Sequence, residues 1–396
     1  MKISYGKNVY DKSEINAVLK TLNHSTQMGI SVKKFENKIS SFFNKKYGLM
    51  VNSGSSALIL ALKVLNLPKN SEVIAPCLNF GTAISAIILS DLKPILVDCE
   101  KETLQIDINK IEKKISKKTK ALLIPNLIGN IPDWSKIKKI SKKYNLKVIE
   151  DSADTLGATI GNKSTGNFSD ISITSFYGSH VISCAGNGGM LLTNNKNLYE
   201  KAKVNRSWGR MSTLIKDSEN INKRLGIKLK GFDYDRKFVF SEIGFNFEPS
   251  EIGASFGLEQ LKKFKYFEKI RNRNFKLHYD FFNKLNKYFI VPKIQNNVST
   301  NFLAYPIILK QNPNFSTKKL QIFLENNKIQ TRPIFSGNIL RHPAFTSLIS
   351  SRNKLSEFKE SDYIMKNGLL IGCHQGLSEK NVSYIHKIIK IFLKNN

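Results

Sequence analysis

The sequence predicts an α/β protein built on a largely parallel sheet with helices on both faces. Three observations predict it. Short apolar runs recur from the start of the chain to about residue 245, amphipathic segments separate them, and 41% of the 396 residues are hydrophobic. Strands buried on both faces read as continuous apolar runs. Their alternation with segments of helical period implies crossover helices covering both sides of one sheet.

Taken in order, a strand-like GLMVN segment precedes a helix expected over Ser55–Leu65. Strands are expected at Glu72–Ala75, Pro94–Val97, Ala121–Pro125 and Lys147–Glu150, followed by Ile171–Phe176 and Gly189–Thr193, all in the parallel set. Asn109–Ser116 and Trp134–Lys143 carry apolar residues at i, i+3, i+4 and read as helices. A helical pattern then runs almost unbroken from Pro249 to about Leu285. Beyond Tyr288 a strand (Leu303–Leu309) and two helices (Thr317–Asn326, Val382–Leu393) suggest a smaller α/β unit. We therefore read residues 1–248 as a large domain, and 249–396 as a connecting helix with a small C-terminal domain.

Composition narrows the function classes. The chain carries 62 Lys+Arg against 31 Asp+Glu, a formal charge of +31. Clustered cations would suggest nucleic acid, but the lysines are spread along helical surfaces in pairs such as Lys33-Lys34 and Lys138-Lys139. A solvated basic surface, or a field drawing in a small anionic substrate, explains them better. The first residues lack the apolar core of a signal peptide, and no apolar run reaches the ~20 residues that span a bilayer. Cys77, Cys99, Cys184 and Cys373 form no C-x-x-C pair and fit neither a disulfide framework nor a zinc site. A soluble cytoplasmic protein, with neither nucleic acid nor membrane as partner, is expected.

Four segments carry chemistry. SGSSAL (Ser53–Leu58) places small residues and hydroxyls where a helix opens, which suits either an ordinary N-cap or a phosphate held by free N–H groups. IEDSADTLGA (Ile149–Ala158) puts an acid pair at the carboxyl end of a strand, where α/β sheets bind ligands. Asp151 there could keep a heterocyclic nitrogen protonated, or cap the next helix. SFYGSHVISCAGNGG (Ser175–Gly189) joins a strand end to a histidine and a glycine-rich turn. GFNFEPSEIGASFGLEQL (Gly244–Leu261) leads into the long helix.

The order and spacing of these segments resemble the sugar-nucleotide aminotransferase family of pyridoxal-phosphate (PLP) enzymes, of fold type I. EVIAPCLNFGTAISAI and PILVDCEKETLQID extend the resemblance to nearly the whole chain. It implies a seven-stranded, mixed but mostly parallel sheet in a large cofactor-binding domain. It implies that Gly54, Ser55, Ser56 and Ser175 hold the cofactor phosphate, that Phe80 stacks on the pyridine ring and that Asp151 pairs with the ring nitrogen. Asp154 stands where the family usually has Gln, near the ring hydroxyl. Asn246 would reach the phosphate of a neighbouring subunit, which implies a homodimer with shared sites. Glu248 departs from the Arg or Lys common there.

The informative departure is His180. The family pattern SFYPTKN has a lysine there that bonds the cofactor covalently, and imidazole cannot do so. A histidine resembles the 3-dehydratase branch, which removes the C3 hydroxyl of nucleotide-linked 4-keto-6-deoxyhexoses. NLIGN, RSWGR, TRPIFSGNILRHPAF and NGLLIGCHQG agree with that branch, the last two as small-domain segments covering the substrate. Arg332 is the candidate for an anionic substrate group. One sub-branch carries a cysteine-ligated 2Fe–2S cluster. The segment directly after RSWGR, MSTLIKDSENI, has no cysteine, and the four cysteines of the chain are not spaced to supply the ligands, so no cluster is expected.

The resemblance thus implies that glutamate converts PLP to pyridoxamine phosphate (PMP), and that His180, with an ordinary pKa of about 6.5, moves protons at C4′ and the C3 hydroxyl. The products would be a 4-keto-3,6-dideoxy sugar and ammonia. An aminotransferase with an unusual base, or an inactive PLP-fold binding protein, are the alternatives. Neither the nucleotide nor the sugar configuration follows from the sequence.

Overall fold

A computed structural model describes residues 2–215, 217–225, 227–311 and 314–396. Seven strands form the central sheet: β1 (Tyr47–Val51), β2 (Glu72–Pro76), β3 (Lys93–Val97), β4 (Thr119–Pro125), β5 (Lys147–Asp151), β6 (Ile171–Ser175) and β7 (Gly189–Thr193). Their spatial order is β1-β7-β6-β5-β4-β2-β3. β2 to β6 are mutually parallel, and β7 alone runs antiparallel to both its neighbours. This corrects the expectation that Gly189–Thr193 joins the parallel set. The connection from β6 has no crossover helix. It folds back on itself, with Phe176 N–H on the Gly188 carbonyl (2.9 Å) and Gly178 N–H on that of Gly186 (3.1 Å), and so returns the chain antiparallel.

The alternation of side chains along each strand feeds two cores. Val73, Leu123, Ile149 and Ile173 pack beneath α3 (Gly54–Leu65) and α4 (Gly81–Leu89). Ile74, Leu122, Ile124 and Val148 face the other way, onto Trp134 and Ile137 of the helix Trp134–Lys143. Burial on both faces explains why these strands read as unbroken apolar runs.

The 33-residue helix Glu251–Asn283 is capped by Ser250, whose Oγ accepts the Gly253 N–H (2.9 Å). It packs on two N-terminal helices, α1 (Lys12–Leu22) and α2 (Ile30–Phe42), which the sequence reading did not assign. Beyond it, Phe289–Ile290, Ala304–Leu309 and Gly368–Gly372 form an antiparallel sheet backed by the helices Thr317–Asn326 and Glu379–Lys394. The chain's start crosses to this region: Ile3 pairs parallel with Ile329. Among the described residues, no helix is long and apolar enough to cross a membrane.

Candidate active site

The carboxyl ends of β5 and β6, the N-termini of α3 and α4 and one face of the C-terminal region enclose a cavity of about 700 Å³. Gly54, Ser55, Phe80, Asp151, Asp154, Ser175, His180 and Arg332 line it. Two of the sequence-predicted residues do not. Ser56 lies inside the first turn of α3, its hydroxyl 2.9 Å from that of Ser53. Asn246 pairs with Ser207 away from this cavity.

The mouth of α3 is shaped for an anion. Ser53 caps the helix, its Oγ accepting the Ser56 N–H (3.1 Å), and the helix dipole points its positive end at the cavity. A Cβ on Gly54 would lie 2.8 Å from Cβ of Ser175, and one on Gly189 would lie 2.3 Å from the Ser53 carbonyl carbon. Only glycine lets β7 and α3 approach this closely, and the result is a cradle of N–H groups flanked by the Ser55 and Ser175 hydroxyls. A phosphate monoester fits such a cradle.

The acid pair at the end of β5 divides. Glu150 turns to the far side of the sheet, where it accepts from Asn126, Ser152 and Ser172. Asp151 turns into the cavity with the Ala153 N–H as partner (3.0 Å). Burial, together with the charge of Glu150, pushes the Asp151 carboxyl up to about 6. A carboxylate so placed is stabilised by a nearby cation, and a protonated pyridine nitrogen would supply one. Asp154 accepts the Ile128 N–H (2.8 Å), holding that β-branched residue at φ +62°. Burial, with the charge of Asp151, raises Asp154 to about 7.

His180 sits on the loop that returns from β6. Its Nδ1 lies 3.3 Å from the Ser175 carbonyl, so the proton belongs on Nδ1 and the Nε2 lone pair is the basic one. Burial, with the Arg271 charge, drives this imidazole down to about 4. The expectation of an ordinary value near neutrality is therefore corrected: desolvation disfavours the cation, and His180 stands neutral and proton-accepting.

Phe80 begins α4 with its ring exposed at the cavity, edge-on to Phe335 at 6.2 Å. Arg332 projects from the opposite wall over the Tyr5 ring at 5.9 Å, with no acidic partner among the described residues. TRPIFSGNILRHPAF covers the cavity through residues including Phe335, Ser336, His342 and Phe345. NGLLIGCHQG contributes Leu370 to the wall and otherwise lies behind it, contrary to its expected covering role. Tyr5 and Asn79 were missed. Nothing local marks Tyr5, which arrives through the Ile3–Ile329 pairing, whereas Asn79 stands beside Phe80 in a segment already singled out.

The sheet order, the anion cradle and the carboxylate closing β5 define the fold type I architecture of PLP-dependent enzymes. The chain belongs to the DegT/DnrJ/EryC1/StrS aminotransferase family, whose pattern it matches over residues 8–390. It is 32% identical to the lipopolysaccharide biosynthesis protein RfbH of Salmonella typhimurium, over 89% of this chain and 82% of that protein. It is 30% identical to the GDP-perosamine synthase of Escherichia coli O157:H7, over 96% and 95%. Among solved structures, the E. coli GDP-4-keto-6-deoxy-D-mannose-3-dehydratase with bound hydrated PLP superposes with a TM-score of 0.87 at 28% identity, over 98% of this chain and 100% of that one.

Proposed function

We propose that the protein removes the C3 hydroxyl of a nucleotide-linked 4-keto-6-deoxyhexose. PMP, formed from PLP and glutamate, would serve as cofactor, and the products would be a 4-keto-3,6-dideoxy sugar, 2-oxoglutarate and ammonia. One observation carries the reading: the loop that faces the cradle presents a neutral histidine where amino transfer needs a lysine. The solved 3-dehydratase relative, with PLP bound, supports both cofactor and reaction class.

The chain's residues divide the work. Gly54, Ser55 and Ser175 hold the phosphate and Phe80 covers the ring. Asp151 keeps the ring nitrogen protonated. When bound, the cofactor supplies an electron sink conjugated with C4 of the sugar. Nε2 of His180 takes a proton from the cofactor's C4′ and delivers it to the departing C3 hydroxyl. Burial disfavours the imidazolium, so a proton taken up there is readily passed on, which suits that second transfer. Arg332 meets an anionic part of the substrate.

Glutamate supplies the two electrons, so no iron–sulfur cluster is required. Two copies would complete each site, with Asn246 of one reaching the other. The apolar side chain of Ile243, three residues before Asn246 and 87% exposed, supports such pairing. Amino transfer is the second reading, favoured by the similarity to a perosamine synthase. The test is incubation with PLP, glutamate and a panel of nucleotide-linked 4-keto-6-deoxy sugars, read by product mass. A product lighter by one oxygen supports deoxygenation; an amino sugar replaces our reading with the second.

A further inference from the structure

Arg271 lies on the long helix with its side chain wholly buried and no carboxylate partner among the described residues. Four neutral acceptors surround it. Its Nε donates to Gln375 Oε1 (2.6 Å), one terminal nitrogen to the Phe302 (2.9 Å) and Leu303 (3.1 Å) carbonyls, and the other to the His180 carbonyl (3.2 Å). Gln375 in turn donates to the Val181 carbonyl (3.3 Å). An unpaired guanidinium is costly to bury, and this one ties the histidine loop to Leu303 on the opposite wall.

We propose that Arg271, braced by Gln375, is a positioning residue for His180: it fixes the backbone that carries the base and sets a permanent positive charge beside it. The inference rests on the reading of His180 as the base. Two consecutive carbonyls of the loop, those of His180 and Val181, are held by this pair, so the backbone that carries the ring cannot shift without breaking buried bonds. The fixed charge opposes a second positive charge on the ring. Burial is the larger cause of the depressed imidazole, and Arg271 adds to it. Other groups share the space. Tyr177 lies on the same loop with ring centres 6.0 Å apart, Asp151 and Asp154 line the cavity from β5 and its following turn, and Tyr5 and Arg332 line it from the N-terminal and C-terminal segments. A neutral glutamine beside Arg271, where a carboxylate would cancel its charge, leaves the field directed at the loop.

The test is an NMR titration of the protein carrying 15N-histidine, free of substrate, with His180 identified among the six histidines by its loss in His180→Asn. In the wild type His180 should titrate well below the ordinary range. Gln375→Glu keeps the acceptor for Arg271 Nε, gives up the donation to the Val181 carbonyl and cancels the charge, and should raise the His180 midpoint by more than about 0.5 pH unit. Arg271→Gln should do the same, while Arg271→Lys keeps the charge and leaves the midpoint low. An unmoved midpoint in both Gln375→Glu and Arg271→Gln overturns the proposal. So does failure of both variants to fold, which would make the clamp a folding element alone. The readout is the resting protein's own histidine, so a negative substrate assay would strike the proposed reaction without touching this result.

Discussion

In the proposed reaction His180 carries the most weight for its size, because one side chain would separate deoxygenation from amino transfer. His180→Asn should lower deoxygenation by on the order of 10²–10⁴-fold, the range for loss of a general base. PLP binding, followed by its absorbance, should persist, since the cradle is built by other residues; loss of binding would make the histidine structural. With the imidazole depressed to about 4, the base is already unprotonated in mildly acidic solution. The His180-controlled acid limb of kcat/KM should therefore lie below pH 6, and a limb centred near 6.5 would show that the site is wetter than described. At this scale the sequence was legible where the cavity-lining residues come from contiguous motifs. Ser53 to Ser55, Asp151 to Asp154 and Ser175 to His180 each come from one strand end and its following turn. Tyr5 and Arg271 were illegible, because their partners lie hundreds of positions away or are backbone carbonyls, which leave no mark in a sequence.

At the scale of elements, the junction of α3 with β7 makes the site, and it depends on atoms that are missing. Gly189→Val would drive a side chain into the Ser53 carbonyl, where even a Cβ has only 2.3 Å. That variant should lose most PLP affinity in a spectrophotometric titration, and unchanged affinity would remove the cradle from our account. Ser53→Ala deletes the cap on α3 and should cost about 1 kcal/mol in urea unfolding, together with weaker cofactor binding. Strand positions in the sheet were legible because two-sided burial writes itself as apolar runs. The direction of β7 was not, since an apolar run looks the same in either direction and only the hairpin-like return from β6 decides it. The two N-terminal helices were legible in principle, since Ile15, Val18, Leu19 and Leu22 fall at i, i+3, i+4 and i+7, although Ile15, Leu19 and Leu22 remain exposed.

For the whole molecule, buried histidines set the response to acid. Burial pushes His278 down to about 3, and His374 and His386 down to about 4, alongside His180. In each case the unfolded chain, at about 6.5, binds a proton that the folded chain refuses, so stability falls as pH drops from about 6.5 towards 4. Asp151 and Asp154, raised to about 6 and 7, act in the opposite sense, favouring the folded state as pH falls through those values. Four imidazoles outweigh two carboxyls, and the urea midpoint should be lower at pH 5 than at pH 7; a higher midpoint at pH 5 would contradict this balance. Assembly belongs to the same scale. Ile243→Asp should convert a dimer to monomers in light scattering and reduce activity with it, whereas a wild-type monomer would contradict the shared site.

The central claim is that this scaffold deoxygenates because His180 replaces a lysine, and ammonia tests it most directly. The wild-type protein, supplied with PLP, glutamate and its nucleotide-linked 4-keto-6-deoxy sugar, should release one ammonia for each 2-oxoglutarate formed. Formation of 2-oxoglutarate without ammonia, the nitrogen retained on the sugar, would contradict the account and make the protein an aminotransferase.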